Sequence, residues 1–148
     1  MKVESVKINW IIDEYPDISY LESSIKNGVV DSCRYTQEDY EEDPEQVKQW
    51  IRQDTQRLNS YGDDWVNYGC MAEAVVSYPI SKQGDRRLET LTSGGLWGIE
   101  SDSDDSYKTE IAKEQIEELK DHLKRFNIRI NNKVERLMAE AVESMKSS

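Results

Sequence analysis

Apolar and polar side chains alternate most clearly at the start and in the middle of the chain. Val6, Ile8, Trp10 and Ile12 alternate with Lys7 and Asn9, which predicts a first strand over residues 3–12. In WVNYGCMAEAVVSYPI, residues 65–80, Val66, Tyr68, Cys70, Ala72, Ala74, Val76 and Tyr78 share one parity. That predicts a long strand, with Gly69 as a candidate bulge and Pro79 near its end. Residues 81–85 read as a hairpin loop leading into a strand at Arg86, where Leu88, Thr90 and Thr92 alternate with Arg87, Glu89 and Leu91. Gly94 and Gly95 interrupt this strand with a bulge or bend, because glycine reaches positive φ without steric cost. Leu96, Trp97 and Ile99 resume it.

Helical spacing replaces alternation elsewhere. Over 107–126, Ile111, Gln115, Leu119, Leu123 and Phe126 share a stripe with Ala112 and Ile116, and most of the acids fall outside it. The Ser and Asp residues of 101–106 suit a helix start, and Asn127 suits its stop. A second helix is predicted over 44–61. Asp43 is its cap, Pro44 its first residue, Val47, Trp50, Ile51, Leu58 and Tyr61 its apolar face, and Gly62 its stop. A last helix over 133–145 follows the Asn131-Asn132 break, with Val134, Leu137, Met138, Ala141, Val142 and Met145 on one stripe. Between these elements, residues 19–22 read equally as a helical turn or a strand. Asn27-Gly28 is a turn signal, and 28–35 reads as a short strand after it.

These elements predict an α+β fold. An antiparallel sheet is built from the N-terminal strand and the 65–99 hairpin, and helices 44–61 and 107–126 cover it. The expected organisation is an α+β domain over 1–127 and a C-terminal helical extension over 128–148. Trp10, Trp50, Trp65 and Trp97 all fall on or beside proposed core faces and are expected to pack there.

Charge changes the picture more than composition does. The chain has 19 basic and 30 acidic residues and a net charge of −11, which repels nucleic-acid phosphates and anionic membranes and attracts basic partners. Residues 38–45 hold six acids and no base. Residues 122–148 run the other way, with six bases and three acids. No apolar run is long enough to span a membrane, and the first residues lack the apolar core of a signal peptide, so a cytoplasmic protein is expected. Cys33 and Cys70 are then expected to be reduced.

One segment carries a resemblance. TSGGLWGIESDSD, followed by Tyr107 and a helix containing ELKDHLKRF, resembles small acidic proteins carried by phages, plasmids and other mobile elements. The specific part covers 92–126, with looser similarity back to the helix near Trp50. The resemblance implies a mobile-element accessory protein. Inhibitors of host defence, anti-CRISPR proteins among them, are common in that setting. It implies no catalytic residue.

Candidate chemistry is sparse. There is no GxSxG, HExxH, GxGxxG or Walker loop; a non-enzymatic protein without cofactor or metal is expected, and a small enzyme using carboxylates or bound metal ranks last. Alternating Asp102, Asp104 and Asp105 invite a calcium reading, but the glycine and closing glutamate of an EF-hand are missing, and helix capping is the simpler role. His122, the single histidine, is expected on an exposed helix face. What remains is a binding surface. Glu38, Asp39, Tyr40, Glu41 and Glu42 with Asp102, Asp104 and Asp105 would face the basic groove of a nucleic-acid-binding protein, a CRISPR effector nuclease being the most attractive class. Tyr15, Tyr20 and Tyr35 add aromatic material among the acids. Direct binding to nucleic acid or membrane is not expected. The alternative is an acidic scaffold or regulatory subunit, homodimeric through Val134, Leu137, Met138, Ala141 and Met145.

Overall fold

The computed structural model describes residues 1–147. The fold is α+β, with an antiparallel sheet and a C-terminal helix. Two compact units divide the chain: Met1–Asp13 with Asn67–Ser148, and Glu14–Val66.

The first unit is built around β4 (Asn67–Pro79), which pairs with β1 (Lys2–Ile12) along one side. Its other side is shared end to end by β5 (Arg86–Thr92) and β6 (Leu96–Glu100). β5 and β6 therefore act as one strand broken at residues 93–95, where the glycine pair is. The bulge expected at Gly69 is present, because the β4–β6 register shifts between Tyr68 and Cys70. Cys70, Ala72, Ala74 and Val76 form the buried face of β4. Their small side chains let α3 (Asp105–Arg125) come close to the central strand. The second helix on this sheet is α4 (Asn132–Glu143), which packs along β1. Val3, Ile116, Leu119, Leu123, Ile128, Val134, Met138 and Val142 complete the core.

The helix ends follow the capping residues. Asp104 accepts from the Tyr107 N–H at 2.7 Å and Asn131 from the Val134 N–H at 3.0 Å. Asn127 takes φ 58°, and the Ile128 N–H returns to the Leu123 carbonyl at 2.9 Å, closing α3 with a Schellman turn. That turn drops Ile128 into the core beside Leu123. The stripe of α4 is used within the chain: Val134, Met138 and Ala141 are buried, Leu137 is half-buried, and Met145 packs on the cluster around Cys70 and Ile99. Residues 128–147 fall within the first unit.

The second unit leaves and rejoins the first between neighbouring residues, since the Asp13 N–H donates to the Asn67 carbonyl at 2.8 Å. Ser19–Leu21 is a single 3-10 turn, which settles the open reading there. β2 (Ser24–Lys26) and β3 (Val29–Asp31) form a hairpin whose turn, Asn27-Gly28, has φ of 52° and 75° as a type I′ turn requires. The strand expected over 28–35 is thus shorter, three residues long. α1 (Gln37–Glu42) and α2 (Pro44–Asn59) complete the unit. Within the second unit α2 packs with α1 and the 3-10 turn, and within the first the sheet is covered by α3 and α4.

Among the described residues no helix is long and apolar enough to cross a membrane.

Candidate functional site

The acids expected to act together fall into two local structures, one per unit. Glu38, Asp39, Tyr40, Glu41 and Glu42 all lie on α1, a helix that apolar periodicity did not reveal because it has no apolar face. Its start is a capping box: the Thr36 hydroxyl accepts from the Asp39 N–H at 3.1 Å, and the Asp39 carboxylate accepts from the Thr36 N–H at 3.0 Å. Hydrogen bonds from Thr36 to the carboxylate, that from its backbone N–H foremost, hold the Asp39 carboxyl below its usual range. Asp39, expected on the binding surface, is therefore a structural acid at the start of α1. Glu38, Glu41 and Glu42 are exposed and Tyr40 is half-buried. Asp43 caps α2 by accepting from the Gln46 N–H at 3.2 Å. The first base after this run, Lys48, pairs with Glu45 at 3.4 Å.

The second acidic segment differs. Asp104 is the cap of α3 and Asp105 its first residue, the capping role expected for this segment. Lys108 folds back to donate to the Ser101 carbonyl at 2.6 Å, which puts a positive charge at the root of the loop. Among the described residues no three His, Cys, Asp or Glu side chains are grouped to hold a metal.

The charge is unevenly divided. The second unit has 13 acidic and five basic residues, a net −8, which leaves −3 of the chain's −11 for the first. Within the second unit only Leu21, Val47 and Trp65 are buried apolar residues. Asp54 is buried with them and holds two neighbours: Arg34 Nη1 donates to one oxygen and the Tyr35 hydroxyl to the other, each at 2.8 Å. Burial, with the Asp54 bond second, raises the Tyr35 pKa. Tyr35 also stacks on Trp50. Arg57 covers the Trp65 ring at 3.8 Å, and the Trp65 indole N–H donates to the Arg57 carbonyl at 2.8 Å. The Arg34–Tyr35–Asp54 group was not anticipated. Its signal was available, because Asp54 falls on the stripe of Val47, Trp50, Ile51 and Leu58 at helical spacing.

Two of the four tryptophans depart from the expected core positions. Trp50 and Trp97 are 40% and 47% exposed. Trp97 lies over Gly69, where a Cβ would overlap its ring, so the bulge glycine serves as its seat. His122 is not idle on its exposed face: its Nδ1 is 2.9 Å from the Thr92 carbonyl oxygen, at the end of β5.

A scan against protein-family models finds no match, and neither do searches of curated proteins and of solved structures.

Proposed function

We propose that this chain is a non-enzymatic inhibitor from a mobile element, which binds the basic nucleic-acid groove of a host defence nuclease, an anti-CRISPR-like role. The observation that carries the reading is the concentration of charge: a net −8 in residues 14–66, with a base-free run of six acids on α1 and the start of α2. A phosphate row is a line of negative charge, and carboxylates held on a helix offer the same lysines and arginines an alternative. Such a surface speeds capture through long-range attraction. Each exposed ion pair contributes only about 0.2–1 kcal/mol, so charge orients the complex more than it holds it. Glu38, Glu41 and Glu42 lead this surface, and Asp102, Asp104 and Asp105 form a second, more structural one. The cytoplasm of the host is where such a target is met.

The test is DNA cleavage by guide-loaded CRISPR effector nucleases, titrated with the protein across a range of salt. Inhibition should weaken steeply as salt rises, and Glu38→Lys, Glu41→Lys and Glu42→Lys together should lower potency more than tenfold, about 0.5 kcal/mol or more per charge. Inhibition indifferent to both would remove the charge-mimicry reading. Absence of inhibition, and of capture from host nucleic-acid enzymes in a pull-down, would remove the defence role itself.

A further inference from the structure

Carboxylates that stay hydrated steer a partner, whereas tight complexes centre on a few desolvated aromatic and arginine anchors. The second unit contains such a group. Tyr35 and Trp50 stack with ring centroids 5.6 Å apart and planes 21° apart. The Arg34 guanidinium lies 5.6 Å from the Tyr35 centroid and 6.0 Å from that of Tyr20. Asp54, buried behind them, fixes Arg34 and Tyr35 through both of its oxygens. A buried carboxylate is a costly way to stabilise a small core, and its effect here is to immobilise side chains that reach the surface. Trp50 keeps 40% of its surface in water.

We propose that the Tyr20–Arg34–Tyr35–Trp50 ladder is the anchor by which this protein grips arginine side chains of a basic partner, an inference that rests on the function proposed above. Trp presents the strongest aromatic face to a cation, and stacking on Tyr35 pre-orders that face before binding. Asp54 neutralises Arg34, so the ladder does not repel an incoming guanidinium. The surrounding unit, at net −8, selects a cation over a neutral apolar ligand. Arginine is favoured over lysine because its planar, weakly hydrated head stacks on aromatic rings. Tyr35 runs directly into Thr36, the cap of α1, so the ladder and the acidic helix adjoin along the chain.

Octa-arginine and octa-lysine peptides, equal in charge, provide the probe. Calorimetry with the full chain should show the arginine peptide binding about threefold tighter or more, the size of an exposed cation–aromatic contact. Trp50→Ala should erase that preference by lowering the arginine affinity more than the lysine affinity. Trp50→Leu, which keeps an apolar group against Tyr35, should do the same, and it decides the matter if the alanine variant melts early. Equal affinity of the unaltered chain for both peptides overturns the inference, as does an arginine preference that survives in a folded Trp50 variant. Glu38→Lys, Glu41→Lys and Glu42→Lys should weaken both peptides alike. If they weaken neither, the acidic-surface reading fails as well, whatever Trp50 does.

Discussion

Each unit of this protein buries a polar side chain on a helix, and the two are used differently. In the first, the Gln115 carbonyl oxygen on α3 accepts from the Ser93 hydroxyl at 2.7 Å and from the Gly95 N–H at 3.0 Å. Ser93 in turn accepts from the Ala72 N–H, and Glu118, one turn on, accepts from the Gly94 N–H. His122, a further turn along, meets the Thr92 carbonyl. A polar row on α3 thus supplies the partners that the break between β5 and β6 takes from its backbone. In the second unit, Asp54 serves side chains instead of backbone. The difference follows from the amount of apolar material. The first unit has an extended core, and its polar residues only repair a sheet. The second has few buried apolar residues and completes itself with rings, guanidinium groups and a carboxylate, which leaves aromatic surface available for binding.

The comparison breaks first at Gln115. Gln115→Leu leaves the buried Ser93 hydroxyl and the part-buried Gly95 N–H without their acceptor, a loss of about 1–3 kcal/mol for the hydroxyl and less for the N–H. Chemical denaturation measures it, and hydrogen exchange should quicken at Gly95. A variant as stable as the parent would mean that the amide does not seal the break.

Asp54→Asn should act more weakly, about 1–2 kcal/mol, because the amide keeps the shape and Arg34, whose side chain is 41% exposed, returns to water. Faster hydrogen exchange should be confined to residues 14–66. Exchange that quickens equally in β4 and α3 would show the units to be one cooperative structure.

The smallest effect is chemical rather than energetic. Cys33 is exposed, whereas Cys70 is fully buried on β4, where burial pushes its thiol up to about 12. A thiol reagent at neutral pH should label Cys33 in the native chain and Cys70 only on unfolding. Asp54→Asn should leave the protection of Cys70 unchanged, and rapid labelling of Cys70 in that variant would tie the two units together.

Much of the fold could be read from local pattern. The period-2 runs placed β1, β4 and β5, and Gly94-Gly95 marked the break before β6. Caps at Asp43 and Asp104 needed only the free N–H groups of the following turn, whereas Asn131, read as a break, turned out to cap α4. Both central polar residues could be read as well, since Gln115 and Asp54 each interrupt an apolar stripe. The helix α1 was missed because acids all round give no moment, although Thr36 and Asp39 stand at capping-box spacing. Trp50 and Trp97 were misplaced because a stripe gives the direction of a side chain but not whether anything covers it.

By itself the sequence determined where strands and helices run, where they stop and how much charge they carry, because backbone geometry, capping and ionisation act within a few residues. Only the tertiary structure decided which helix covers the sheet, which tryptophans remain in water, and which donors Gln115 and Asp54 accept from. Those outcomes depend on groups some 20 residues or more apart meeting in space: Ser93 with Gln115, Arg34 with Asp54. No local spacing encodes that meeting, and packing selects it only when the whole core closes.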